Sequence, residues 1–164
     1  HYRSPLNFSV ELLEQAEATL ESLYSTLRDV QEIDVDLEVV LSEEPFYRAL
    51  NDDLNTPVAI AEVHSLAKQI HKAAPGEKPA LKARMLAAGN LLGILGQDPE
   101  EWLQGNVAEG DIGAAEIETL IDERQQAKLA RNYDRADEIR QELLDQGIVL
   151  EDSREGTKWK RRSD

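Results

Sequence analysis

Arg124-Gln-Gln-Ala-Lys-Leu-Ala-Arg-Asn-Tyr-Asp-Arg-Ala-Asp-Glu-Ile-Arg-Gln-Glu-Leu-Leu-Asp-Gln-Gly-Ile-Val-Leu-Glu-Asp-Ser-Arg-Glu-Gly-Thr-Lys-Trp-Lys-Arg-Arg162 is the stretch that decides the fold. It predicts a helix ending near Arg131, a second helix from Tyr133 to Gln146, and a stop at Gly147. Two short strands follow, joined by a turn at Ser153–Gly156. The helix leading in runs from Ala114, with Ile117, Leu120 and Ile121 facing inward. Together these elements form a small ααββ module over 114–164.

Working back from that module, residues 97–113 contain Pro99, Gly105 and Gly110 and read as a linker around a short turn at Glu100–Leu103. Residues 1–96 read as a four-helix bundle. Ser9 caps a first helix in which Leu13, Ala16, Leu20, Leu23, Leu27 and Val30 recur at spacings of three and four. Residues 31–42 form an acidic connector with Asp34, Asp36 and Glu38. Pro45 opens a short helix through Phe46, Tyr47 and Leu50, and Asn51–Asn55 breaks it. Thr56-Pro57 restarts helix, with Thr56 as cap and Ile60, Val63, Ala67 and Ile70 inward. A fourth helix covers about Pro79–Leu95, with Leu81, Met85, Ala88, Leu92 and Leu95 inward. Gly89, Gly93 and Gly96 give it a smooth side for a neighbouring helix. The fold class expected is mainly α: a four-helix bundle followed by a small ααββ module.

Composition agrees with that class. Two Phe, two Trp and four Tyr in 164 residues leave the core to aliphatic side chains, which favour helices. Cys is absent, which excludes disulfides and thiolate metal sites. No apolar run is long enough to span a membrane, and no signal peptide is visible. The chain starts at His1 rather than Met and reads as a piece of a longer protein.

Charge is uneven. The net charge of −15 argues against general nucleic-acid binding. Residues 1–110 carry 8 Lys+Arg against 19 Asp+Glu, whereas residues 111–164 carry 10 against 14. Within 154–162 the balance is +4, from Arg154, Lys158, Lys160, Arg161 and Arg162 less Glu155. If RNA binds, this end is the electrostatically reasonable place.

Few residues suggest chemistry. His64 and His71 share a helix face, but without a third ligand they read as surface histidines. Glu43, Glu44, Asp52 and Asp53 read as helix-end carboxylates rather than an acid–base pair. The acidic face of residues 11–44 reads as solvated surface, with a docking face for a basic partner as the other option. No phosphate loop, metal helix or nucleophilic triad is visible, so the residues alone suggest neither a catalytic set nor metal ligands.

The C-terminal tip differs. Trp159 lies between Lys158 and Lys160 in a strand and projects to the opposite face from them. Its ring either lies exposed for stacking on a base or packs on the helix beneath, against Ile139 or Leu143. Lys158, Lys160, Arg161 and Arg162 suit a nucleic-acid backbone. Asp137 and Asp152 nearby suit hydrogen bonds from base edges, the usual route to sequence selectivity in single-stranded RNA.

Three segments carry a resemblance. The first is Ala127–Arg140 with Gly147-Ile-Val-Leu-Glu-Asp152 and Gly156-Thr-Lys-Trp-Lys-Arg161; the second is His1-Tyr-Arg-Ser-Pro-Leu-Asn-Phe-Ser9; the third is Asp52-Asp-Leu-Asn-Thr-Pro57. Taken in their order along the chain, they resemble the cysteinyl-tRNA synthetases. The resemblance implies a class I synthetase whose catalytic domain, with its HIGH and KMSKS signatures, is missing from this sequence. ATP and zinc are implied for that missing domain, and no cofactor for this chain. A DALR-type helical bundle would cover about 1–96, and a small anticodon-recognition domain 114–164. The implied partners are tRNA(Cys) and the missing catalytic domain, and the implied location is cytoplasmic. The anticodon-facing residues carried over are Lys128, Asp137 and Asp152; Lys158, Trp159, Lys160, Arg161 and Arg162, which fall in the family's terminal strand, complete the expected RNA-binding set. The family often has Arg where this chain has Lys128, and Lys lacks the bidentate fork. Two other readings stand beside this one: a helical scaffold for protein interactions, and the bundle of a cysteine-ligase paralogue that does not use tRNA.

Overall fold

The computed structural model describes residues 9–35, 44–105, 111–153 and 156–162. The opening segment before Ser9 lies outside the described residues, as do Asp36, Glu38, Glu43, Gly110, Arg154 and Glu155. The chain divides into two compact units, His1–Trp102 and Leu103–Asp164.

The first unit is helical. Helix α1 spans Val10–Arg28, and the Ser9 hydroxyl caps it by accepting from the Leu12 amide at 3.3 Å. Only the later half of its apolar stripe is covered. Leu23, Tyr24, Leu27 and Val30 are buried, whereas Leu12, Leu13 and Ala16 are exposed. Periodicity reports an apolar face, not whether anything lies on it. Past the end of α1, the Lys82 ammonium donates to the Gln31 and Ile33 carbonyls at 3.0 and 2.7 Å.

Helix α2, Pro45–Asn51, has proline in its first turn and buries Phe46 and Ala49. Helix α3, Thr56–Lys72, is capped by Asn55 rather than Thr56: the Asn55 side chain accepts from Val58. Its buried stripe is Ala59, Val63, Leu66, Ala67 and Ile70, and Ile60 falls outside it. Helix α4, Lys78–Leu92, stops at Gly93, whose φ of 72° supplies the left-handed cap. Leu95 is buried, but it lies beyond the helix on the returning chain. That return packs on Gly89, so this glycine admits the chain's own turn rather than a neighbouring helix. Helix α5, Pro99–Gln104, follows. Trp102 stacks on Tyr24 with ring centroids 4.4 Å apart, so residues 97–102, which look like linker in the sequence, pack with the first unit.

Of the polar groups singled out in this unit, Glu44 and His71 meet partners within the fold. Arg84 holds both oxygens of Glu44 through a fork, at 2.7 to 2.9 Å. Asp52 and Asp53 follow the end of α2 and are exposed. The Thr26 hydroxyl donates to the Ser22 carbonyl and meets His71 Nε2 at 3.0 Å, which makes that nitrogen the donor to Thr26. Among the described residues, no three His, Asp or Glu side chains gather as a metal site. None of the described helices is long and apolar enough to cross a membrane.

The second unit is an ααββ module. Helix α6, Ala114–Leu129, packs on α7, Tyr133–Asp145. Asn132 caps α7 by accepting from Arg135. Gly147, with φ 76°, turns the chain into strands β1, Ile148–Asp152, and β2, Thr157–Arg161. They pair antiparallel, with Ile148 opposite Arg161, Leu150 opposite Trp159 and Asp152 opposite Thr157. The core is Ile112, Ile117, Ile121, Ile139, Leu143, Ile148 and Trp159. Burying each such aliphatic side chain contributes about 1.5–3 kcal/mol against chain entropy.

A methyl group at Gly89 would lie 2.9 Å from the Ile94 carbonyl oxygen and 2.9 Å from Leu95 Cβ. Gly89→Ala should therefore lower stability by about 1–2 kcal/mol, overpacking outweighing the gain of about 1 kcal/mol in helix propensity. Denaturant melts of the 164-residue chain check this; a variant more stable than the parent would contradict the close packing.

Candidate functional site

Residues of a strand alternate between faces. In this hairpin Ile148, Leu150 and Trp159 point into the module, and Asp152 and Thr157 share their face at the turn end. There the core gives way to a polar cluster centred on the Asp152 carboxylate. Arg124 reaches it from α6 with a fork: Nη1 donates to Oδ1 and Nη2 to Oδ2, each at 2.9 Å. The Thr157 hydroxyl donates to Oδ1 at 2.7 Å. Lys128, one helical turn after Arg124, donates from Nζ to Oδ2 at 3.1 Å.

The partners differ in exposure. The Arg124 side chain is 5% exposed, against 42% for Lys128 and 46% for Asp152. The Arg124 fork, then the Thr157 hydroxyl and Lys128, hold the Asp152 carboxyl well below the usual carboxylate range, although partial burial opposes them. Arg124 is in turn raised, chiefly by Asp152, with the negative field of Asp137 adding to the effect. Asp152 is thus an anion throughout the physiological range, half open to solvent, beside an exposed cation. These side chains, with Gln125, Ser153 and Gly156, line a polar cleft of about 340 Å³. Such a cleft can accept hydrogen bonds from a flat amide or amidine edge and attract an anion at its rim.

Of the expected residues, Lys128 and Asp152 come together and Asp137 lies exposed on α7. Trp159 does not form an exposed platform. It is 3% exposed, it packs with Ile139 and Leu143, and its indole N–H donates to Glu118 at 2.7 Å. An apolar ring with one donor is best satisfied inside, with a carboxylate at the rim. Nor do the terminal cations make one patch. Lys158 and Lys160 lie on the outer face, and Lys160 pairs with Glu151 at 3.0 Å. Arg161 turns inward, donates to the Ile112 carbonyl at 2.7 Å and meets Asp111 at 3.6 Å. It belongs to the module's own closure, and along β2 it lies roughly 13 Å from Thr157. Arg162 is exposed.

Sequence reasoning missed Arg124 and Thr157. The signal for Arg124 was present: it continues the inward series Ile117, Leu120, Ile121 and Ala127, where an arginine is tolerated only with a buried partner. Thr157 needed the strand register. Tyr133 and Leu129, both largely exposed at the α6–α7 corner, were also passed over.

Comparison with known proteins places these two units. Residues 45–96 match a family model described as the DALR domain, and residues 113–159 match one described as the cysteinyl-tRNA ligase anticodon binding domain. The chain is 50% identical over 161 residues to a cysteine–tRNA ligase of Saccharophagus degradans, with 98% of this chain and 35% of that protein covered. It is 48% identical to the cysteine–tRNA ligase of Xanthomonas campestris pv. campestris, over 98% of this chain and 34% of that one. It is 45% identical to that of Paramagnetospirillum magneticum, over 98% and 35%. The chain belongs to the cysteine–tRNA ligase family, and it spans about a third of the length of the curated relatives it matches.

Two outcomes follow from the geometry. Trp159→Ala should destabilise the second unit by about 3–5 kcal/mol, measured by denaturation, as for a core aromatic; an unchanged melt would restore the exposed-platform reading. The stability that Asp152 gives through its ion pairs is fully present above the ordinary aspartate pKa of about 4 and is lost as pH falls below it. The gap between wild type and Asp152→Asn should therefore stay constant from pH 7 to pH 5 and shrink only in stronger acid, as read from urea melts. A gap that closes by pH 5 would contradict the depressed carboxyl.

Proposed function

We propose that this chain is the tRNA-recognition portion of a cysteine–tRNA ligase. It holds tRNA(Cys) by its anticodon, so that a catalytic domain elsewhere in the polypeptide can attach cysteine at the other end of the tRNA. On this reading ATP and zinc belong to that domain, and the protein works in the cytoplasm. Binding energy gained far from the reacting atoms then contributes to rate as well as affinity.

The observation that carries the proposal is the ionised, half-exposed Asp152 beside Lys128, on a module whose family is described as anticodon binding. A carboxylate accepts from the imino and amino groups of guanine or the amino group of cytosine, and anticodon bases present those edges unpaired. Lys128, and more distantly Lys158 and Arg162, meet the phosphates. Asp137, exposed on α7 and acting electrostatically on Arg124, is a second acceptor for a base edge. In a helical scaffold, or a paralogue that does not use tRNA, the same carboxylate would serve only to pair Arg124.

The test compares the affinity of the 164-residue chain for tRNA with a GCA anticodon and for the same tRNA with that triplet changed, at fixed salt. The wild type should prefer GCA. Asp152→Ala, which strands the Arg124 guanidinium and is compared only where its melt shows the second unit folded, should lose most of that preference, roughly tenfold, while binding to the altered tRNA changes little. Equal loss on both RNAs, or no preference in the wild type, would contradict base reading. Lys158→Ala should instead weaken both and reduce the salt dependence.

A further inference from the structure

The Asp152 carboxylate accepts four hydrogen bonds, two on each oxygen, which fills its acceptor capacity. A base edge can therefore bond to Asp152 only by taking the place of a present donor. Three of the four donors are fixed by the fold: two N–H groups of Arg124 and the hydroxyl of Thr157 in β2. Removing the carboxylate from Arg124 would leave a buried guanidinium unpaired, a costly state. Lys128 differs in that its ammonium sits at the longest of the four distances, on a flexible and exposed stem. Displaced, it regains water or a phosphate.

We infer that Arg124, assisted by Thr157, is the positioning residue of the anticodon site, fixing the Asp152 carboxylate so that the one acceptor position held by Lys128 on Oδ2 is offered to a base donor. This rests on the reading of Asp152 given above. The planar fork sets the plane of the carboxylate, and Thr157 sets its tilt. Lys128 occupies the reading position in the free protein and exchanges with the base, moving its charge toward the RNA backbone. A lysine suffices at 128 on this account, because its role is to leave rather than to fork.

Arg124→Lys keeps the charge and loses the fork. Thr157→Val keeps the shape and loses one donor without stranding a buried charge. The experiment measures the ratio of affinities for GCA and altered tRNA in the full 164-residue chain, for each variant alone and combined with Asp152→Ala. Carboxyl 13C titration of Asp152 runs in parallel. Arg124→Lys should cut the ratio roughly tenfold and Thr157→Val about two- to fivefold. Neither should change it further once Asp152 is alanine, and the Asp152 titration should move to higher pH in both. Should Arg124→Lys fail to fold, Thr157→Val decides by the same readings. A full ratio in Thr157→Val and in any folded Arg124→Lys, with Asp152→Ala impaired, would overturn the positioning role alone. The same holds for losses that persist in the Asp152→Ala background. A full ratio in Asp152→Ala would overturn the base-reading assignment, and the positioning role with it.

Discussion

An arginine in the apolar stripe of a helix constrains everything around it. Arg124 sits where α6 faces the module core, and its guanidinium cannot lose its charge there. It needs a carboxylate, and the strand register supplies Asp152 at the edge of the core. The pair links α6 to the turn end of the hairpin, while Trp159 and Ile148 link the rest of the hairpin to α7 and α6 through apolar contact. The energetic gain from such a pair is small, since desolvation cancels most of the attraction. Its effect is geometric: one orientation of one carboxylate, half in solvent.

That arrangement answers a difficulty posed by the composition. A chain of net charge −15 repels a polyanion. Gathering cations into a patch is one answer, and the C-terminal run from Lys158 to Arg162 suggested it. The structure instead disperses those cations: Lys160 to Glu151, Arg161 to the Ile112 carbonyl and Asp111. What stays near the cleft is a small, mixed-sign site, in which Asp152 and Lys128 lie side by side.

The architecture was largely legible in the sequence because its signals are local. Gly147 as the stop before β1 and the spacing of Ile117, Leu120 and Ile121 in α6 were each visible in a few residues. Where reading failed, the missing information was long-range. The exposed first turns of α1 look like its buried half, because periodicity does not name a partner. Gly89 looked like a helix contact, and the chain segment that fills the space returns only after Gly93. In the site, Lys128 and Asp152 were visible as residue types, but their contact joins positions 24 apart in sequence. For Trp159, alternation left a choice between a stacking platform and a ring packed on α7, and only the packing of α6 and α7 under the hairpin settles it as the packed ring.

The central claim is that a fixed carboxylate reads the base while a mobile lysine gives way. Side-chain nitrogen NMR on the labelled 164-residue chain, titrated with the GCA anticodon stem-loop, tests it most directly. The Lys128 Nζ signal should shift strongly while the Arg124 Nη signals keep their positions and their slow exchange. Release of Arg124, or an unmoved Lys128 with shifts confined to Lys160 and Arg162, would contradict the account.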